Sequence, residues 1–188
     1  MTEAVMKILG ISGSLREASH NRRLLQVAAT ELPDGVSFEL YTGLGRIPAY
    51  REEDENGSPP ESVGALRDAL HAADAVLLAT PEYNGSVPGL LKNALDWASR
   101  PFPNNSLRNK PVAVIGASTG LFGAVWAQAE LRKVLATIGA TVVDAELPVS
   151  QADDAFTEDG RLADPDLHKA LADIVKQLVE AASAATAA

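Results

Sequence analysis

Ser12, Ser14, Arg16, Ser19 and Asn21, set around Gly13, are the first residues whose types and spacing suggest chemistry. They lie between Ile8 and Asn21, in a run that opens as an apolar strand and closes where an amphipathic helix begins. A loop of hydroxyls and glycine at a helix N-terminus offers unpaired backbone N–H groups and the positive end of the helix dipole. Such a loop suits a phosphate, to which Arg16 adds charge-assisted hydrogen bonds. The same serines and asparagine also serve as ordinary helix N-caps. Exclusions narrow the choice. Gly10 and Gly13 do not complete the dinucleotide G-x-G-x-x-G, and no Gly-Lys-Ser/Thr follows them. Ser12 is not the nucleophile of a G-x-S-x-G elbow, because position 14 is serine. A phosphate loop built on hydroxyls rather than lysine fits a mononucleotide better than a triphosphate.

Two further loops hold small and polar residues. In the first, Pro81 and Gly85 permit tight turns, Tyr83 offers a stacking face, and Glu82 and Asn84 offer acceptors and donors to a flat polar ring. In the second, Ser118, Thr119 and Gly120 are placed to meet the other edge of such a ring. Taken singly, each also reads as a surface turn.

The elements that must position these loops follow from periodicity. Val5 to Ile11, Val36 to Tyr41, Ala75 to Ala79, Val112 to Ala117 and Thr141 to Val149 read as strands. The second alternates polar and apolar residues as an edge strand does; the third and fourth are continuous apolar runs, as strands covered on both faces are. Helices are expected from Asn21 through Leu32, over Glu61 to Ala72, from Pro88 to Trp97, over Val125 to Ile138 with Gly139 as C-cap, and from about Leu167 onward. The alanine-rich tail from Ala181 to Ala188 is expected to fray. Thr42 to Pro60 reads as a long irregular connection whose Ile47 to Tyr50 segment is apolar enough to pack on a ligand or partner. Strands alternating with helices imply one doubly wound parallel sheet, either flavodoxin-like (order 2-1-3-4-5) or a truncated Rossmann order. In the flavodoxin-like order the first, third and fourth strands are neighbours, so their three loops would gather at one mouth.

Composition bounds the rest. A chain of 188 residues with 46% apolar content fits a single domain, residues 1–188, with a full core. The formal charge of −9 without a basic run argues against nucleic acid as a partner. Absent cysteines exclude disulfides, thiol catalysis and thiolate metal sites, and His20, His71 and His168 lack metal-ligand spacing. The apolar run before Gly10 is too short for a signal peptide core or a membrane span. A soluble cytoplasmic protein without a membrane partner is expected.

The run from Gly13 to Asn21, the longer run PEYNGSVPGLLKNALDW from Pro81 to Trp97, and Lys110-Pro111 through Gly123 together resemble the NAD(P)H-dependent FMN reductase family. The chromate- and quinone-reducing branch is most similar, partly through Ser99-Arg100-Pro101, and the resemblance spans about residues 5 to 150. It implies a flavodoxin-like five-stranded sheet and noncovalent FMN, with NADPH or NADH as co-substrate. Ser12, Ser14, Arg16, Ser19 and Asn21 would hold the phosphate and ribityl chain. Pro81, Glu82, Tyr83 and Asn84, with Ser118, Thr119 and Gly120, would hold the ring. It further implies a homodimer or a dimer of such dimers. No side chain is expected to act as catalytic acid or base, since flavin N5 carries the hydride. The expected activity passes electrons from NAD(P)H to a small acceptor (quinone, free flavin, azo compound or a metal oxyanion such as chromate) by ping-pong turnover. The alternative is a flavin-binding carrier or redox sensor acting on a protein partner. Arg100 is a candidate anion contact for dinucleotide or substrate, against an exposed ion pair. Leu121 and Phe122 make the third loop more apolar than in many relatives, which favours quinones. Trp97, Trp126 and the Ile47 to Tyr50 segment are expected near the mouth, in excess of what one small domain needs.

Overall fold

The computed structural model describes residues 6–55 and 58–187; Val5, assigned to the first strand, and Ala188 lie outside them. Four strands, β1 (Met6–Ser12), β2 (Val36–Tyr41), β3 (Ala75–Thr80) and β4 (Pro111–Ala117), run parallel in the order β2-β1-β3-β4. The apolar runs of β3 and β4 are buried throughout, because helices cover both faces of the sheet. β2 pairs with β1 at the edge and is half-buried, as its alternation requires.

The last strand departs from expectation. Thr141 to Val149 is not one strand but two short ones, β5 (Thr141–Val142) and β6 (Pro148–Val149), both parallel to β4. Between them a side chain stands in for the ladder. Gln128 accepts from the Leu147 N–H at 3.0 Å and donates to the Leu147 carbonyl at 3.2 Å. The fifth position of the 2-1-3-4-5 order is therefore shared, and the flavodoxin-like topology stands.

Helices α1 (His20–Thr30) and α6 (Pro165–Thr186) cover one face, and α3 (Glu61–Ala72), α4 (Gly89–Ala98) and α5 (Val125–Ile138) the other. The period-two alternation of β1 divides the core. Ile8 meets Leu24, Leu25 and α6, whereas Leu9 and Ile11 meet Val63, Leu66 and Leu91. α6 does not fray at Ala181 but continues to Thr186, since alanines favour helix and Ala182 is buried.

The connection from Thr42 to Pro60 also carries more order than expected, with a 3₁₀ turn at Leu44–Arg46 and a short helix α2 (Glu52–Glu55). Its Ile47 to Tyr50 segment packs on α4 of the same chain. The Pro48 carbonyl accepts from Asn93 Nδ2 at 2.8 Å and Trp97 Nε1 at 2.9 Å, and the Tyr50 ring meets Trp97 edge-on at 4.9 Å. Trp97 is thus wholly buried core rather than part of a mouth; Trp126 remains 52% exposed.

Candidate functional site

The winding reverses between β1 and β3, and at such a switch point a parallel sheet opens a crevice beyond its carboxyl ends. The loops after β1, β3 and β4 meet there. Ser14, Arg16, Ser19, His20 and Asn21 line one wall of the cleft, Pro81, Glu82 and Tyr83 a second, and Ala117 to Thr119 a third. The first loop enters against β3, where the Gly13 N–H donates to the Ala79 carbonyl at 2.8 Å. A Cβ on Gly13 would stand 3.0 Å from Leu91 and 3.2 Å from Pro81, which is why glycine holds the approach.

The hydroxyls of this loop are already oriented. Ser19 Oγ accepts from the Arg22 N–H at 3.2 Å as N-cap of α1, and Ser14 Oγ accepts from the Arg16 N–H at 3.3 Å. Each keeps its own O–H to donate. Among the described residues, no acceptor faces the N–H groups of His20 and Asn21, and Arg16 makes no ion pair. Unspent N–H groups at a helix N-terminus, two free hydroxyl protons and an unpaired guanidinium are a donor set for one phosphate. FMN carries one phosphate, and the residues present fit it.

Two residues of that set do other work. Ser12 spends its proton on the Ser14 carbonyl at 3.3 Å and shapes the loop from behind the cleft. Asn21, buried at 3% exposure, donates from Nδ2 to the Ala117 carbonyl and accepts the Ala117 N–H at Oδ1, both at 2.9 Å. Its amide clamps the first loop to the third while the residue stays in the lining of the cleft.

The second loop is a tight hairpin. Tyr83 and Ser86 form an antiparallel bridge, and Asn84 (φ 55°) and Gly85 (φ 72°) between them take the positive φ of a type I′ turn. Asn84 therefore sits at an exposed tip, outside the lining of the cleft. The Glu82 carboxylate is also engaged: Oε2 accepts the Ala127 N–H at 3.0 Å. That bond caps α5, whose own N-cap residue, Ala124, has no side-chain acceptor. From α5, Glu130 accepts in return from Ser86 Oγ at 2.7 Å. Of the second and third loops, the N–H groups of Tyr83, Ser118 and Gly120 are spent on protein acceptors. Those of Glu82, Asn84 and Thr119 have none among the described residues.

Gly120 lies beyond the cleft lining, bonded to Ser118 Oγ at 3.2 Å and held by the Gln151 N–H. The segment after β6 braces the third loop, through Ala152 N–H to the Ser118 carbonyl at 3.1 Å. His20 Nε2 meets Asp153 Oδ1 at 3.0 Å and its ring stacks on Phe156. Asp153, Ala152 and Gln128 carried no sequence signal of a site role, because each acts across a long chain separation.

Arg100 does not reach the cleft. It pairs with Glu55 at 3.2 Å and bonds Tyr50 Oη at 3.3 Å, and Tyr50, ahead of Glu55, raises its pKa above the ordinary arginine value. It lines a larger cavity between α4 and α5 instead, of about 460 Å³ against about 100 Å³ for the cleft. At the amino end of β4, burial lowers the pKa of Lys110 against the opposing pull of Asp74; its ammonium caps α3 at the Ala73 carbonyl.

The family model for NADPH-dependent FMN reductases matches residues 6–154. The chain belongs to that family. Its similarity to the NAD(P)H-dependent FMN reductase of Pseudomonas aeruginosa is 46% identity over 160 residues, 85% of each chain. To the 2-hydroxy-1,4-benzoquinone reductase of a Burkholderia species it is 36% over 167 residues, covering 88% of this chain and 90% of that one. Among solved structures, the flavoenzyme NAD(P)H:(acceptor) oxidoreductase FerB of Paracoccus denitrificans superimposes with a TM-score of 0.82 at 37% identity, over 95% of this chain and 98% of FerB. As a family member the protein is an NAD(P)H-dependent flavin oxidoreductase with FMN as cofactor.

Proposed function

We propose that this enzyme reduces quinones: NAD(P)H, one proton and a quinone give NAD(P)⁺ and a hydroquinone. The single observation that carries the reading is the cleft itself, with its one-phosphate donor set on the first loop and the second and third loops lining its other walls. Quinone reductases among the relatives support the choice of acceptor. Bound FMN supplies the two-electron chemistry. Ser14, Arg16, Ser19 and the α1 N-terminus would hold the phosphate, and Pro81 to Tyr83 with Ala117 to Thr119 would hold the ring. The unspent N–H groups of Glu82 and Thr119 would stabilise negative charge on the ring without a titrating side chain. Nicotinamide and quinone would then use one exposed ring face in turn.

Initial rates against both substrates test this. Parallel double-reciprocal lines for NAD(P)H and a naphthoquinone are expected. Intersecting lines would contradict sequential use of one face, and an FMN-loaded protein that oxidises no NAD(P)H with quinone would support the carrier reading instead.

The assembly we propose is a homodimer through the α4–α5 cavity. Its rim carries both signs of charge, Lys92, Arg100 and Lys133 against Asp96 and Glu130, which lets the patch pair with its own copy across a two-fold axis. Phe102 stands 74% exposed beside it. Light scattering should give a dimer burying roughly 1,600 Å². A monomer with full activity would refute it. We place the enzyme in the cytoplasm, with NAD(P)H as reductant; no helix among the described residues is long and apolar enough to cross a membrane.

A further inference from the structure

Among the described residues, one buried side-chain nitrogen or oxygen is left without a hydrogen-bond partner, and it is Arg22 Nε. Buried polar groups in folded proteins are otherwise satisfied, so an orphan needs a physical reason. Arg22 stands in the first turn of α1, whose N-cap is Ser19. No acid shares that turn, and Arg23 follows directly. Cations there oppose the positive end of the helix dipole, so nothing in α1 itself favours them.

The neighbours do not compensate Arg22 either. Arg23 is engaged: its Nη2 donates to the Thr157 carbonyl at 2.9 Å, and its guanidinium lies 4.8 Å from the centroid of the Phe156 ring. His20 is held by Asp153 at 3.0 Å. Arg22 makes no ion pair among the described residues, although Glu17 lines the same cavity and the chain carries a net charge of −9.

That cavity measures about 450 Å³ and is lined by Glu17, Ser19, His20, Arg22, Arg23 and Gln26. Ser19 and His20 also line the flavin cleft, so the two hollows adjoin at the start of α1. Arg22 belongs to the neighbouring hollow alone, whereas Arg16 is the cation of the cleft itself. The donors of the first loop already suffice for the one phosphate of FMN. A second cationic hollow beside it suits a second anion, and the NAD(P)H on which the family depends brings one. Its pyrophosphate, and in NADPH its 2′-phosphate, trail behind a nicotinamide that has to stack on the flavin ring. The remainder of the dinucleotide must leave the cleft over one of its walls, and the wall formed by the first loop leads to an unpaired guanidinium.

We infer that Arg22 binds a phosphate of the reducing dinucleotide, in the hollow beside the flavin cleft rather than inside it. The inference rests on the placement of FMN proposed above. An arginine fork matches two phosphate oxygens at once, and the Gln26 amide adds a further donor on the same lining.

The test uses the FMN-loaded protein without any electron acceptor. Calorimetric titration of the oxidised protein with NADP⁺ and with NAD⁺ reads binding alone. Anaerobic bleaching of the flavin by NADPH and by NADH reads the half-saturating concentration and the limiting rate. Arg22→Gln should raise the Kd for NADP⁺ and the half-saturating NADPH concentration about tenfold, the scale of one lost bond to a charged group. The limiting rate and the Kd for FMN should stay within about twofold of wild type. Arg22→Lys should recover part of the affinity, since it keeps the charge without the fork. A loss confined to NADPH and NADP⁺ would support the inference and assign Arg22 to the 2′-phosphate. An equal loss for both dinucleotides would support it and assign Arg22 to the pyrophosphate. Unchanged affinity for both would overturn it. So would a tenfold loss of FMN affinity with dinucleotide binding intact, which would give Arg22 to the cofactor phosphate. A wild-type protein that takes up no FMN, yet binds NADP⁺ through Arg22, would overturn the placement of FMN and leave this inference standing.

Discussion

The first and third loops lie at the same end of the sheet and face the same cleft, yet they are built on opposite principles. The first spends almost nothing on strain: Ser14 and Ser19 each accept a nearby backbone N–H and keep their own O–H groups beside the cleft. The third stores its strain in Gly123 and Ala124 and turns apolar side chains outward. A phosphate needs only donors that helix geometry provides anyway, so its loop is cheap to form and is written in local sequence. Apolar side chains turned outward have to be kept from collapsing into the core, and that takes long-range restraint from Gln128 and Pro148.

The contrast breaks most visibly at Gly123. Gly123→Val should cost about 3–5 kcal/mol of stability, from the left-handed φ and the clash with Pro148 together. Urea unfolding measures it, and a loss below about 1 kcal/mol would mean that the third loop relaxes freely. Next in size is the clamp between the loops. Asn21→Ala leaves the buried Ala117 N–H and carbonyl unpaired and should cost about 2–4 kcal/mol, read in the same experiment. If Asn21 served the phosphate alone, stability without FMN would not change.

That pair of residues also shows what the sequence could and could not say. The bounds of α3 and α5 follow from periodicity and caps, and Glu61–Ala72 and Val125–Ile138 fold as expected. The three loops, their strands and their convergence were equally legible, because apolar runs and small-residue turns are local. Partners were not. An asparagine beside a phosphate loop reads as a ligand, and nothing nearby reveals that its amide pairs with Ala117 across 96 positions. Glu82 lines the cleft, where it reads as a ring contact, and nothing nearby reveals that its carboxylate also caps a helix 45 residues on. The split of the last strand follows from Gln128, a polar residue on a helix whose buried bonds to Leu147 have no signature in either segment.

A smaller effect sharpens the account of the chemistry. His20 lines the cleft but is held by Asp153 and Phe156, and His168 pairs with Glu31 on the far side of α1. Alanine at His20, His71 or His168, each saturated with FMN, should keep the maximal rate within about tenfold, short of the 10²–10⁴ typical of a lost general acid or base. A thousandfold loss with FMN bound would require a side-chain acid.

The central claim is that the first loop is a one-phosphate cradle, and the difference between FMN and riboflavin measures it directly. Equilibrium titration of the flavin-free protein with each, in wild type and in Arg16→Ala, isolates the phosphate term from everything the ring contributes. FMN should bind at least about a hundredfold tighter than riboflavin, and Arg16→Ala should weaken FMN by about 1.5–3 kcal/mol while leaving riboflavin within about 0.5 kcal/mol. Equal affinity for the two flavins, or an Arg16→Ala loss shared equally between them, would contradict it.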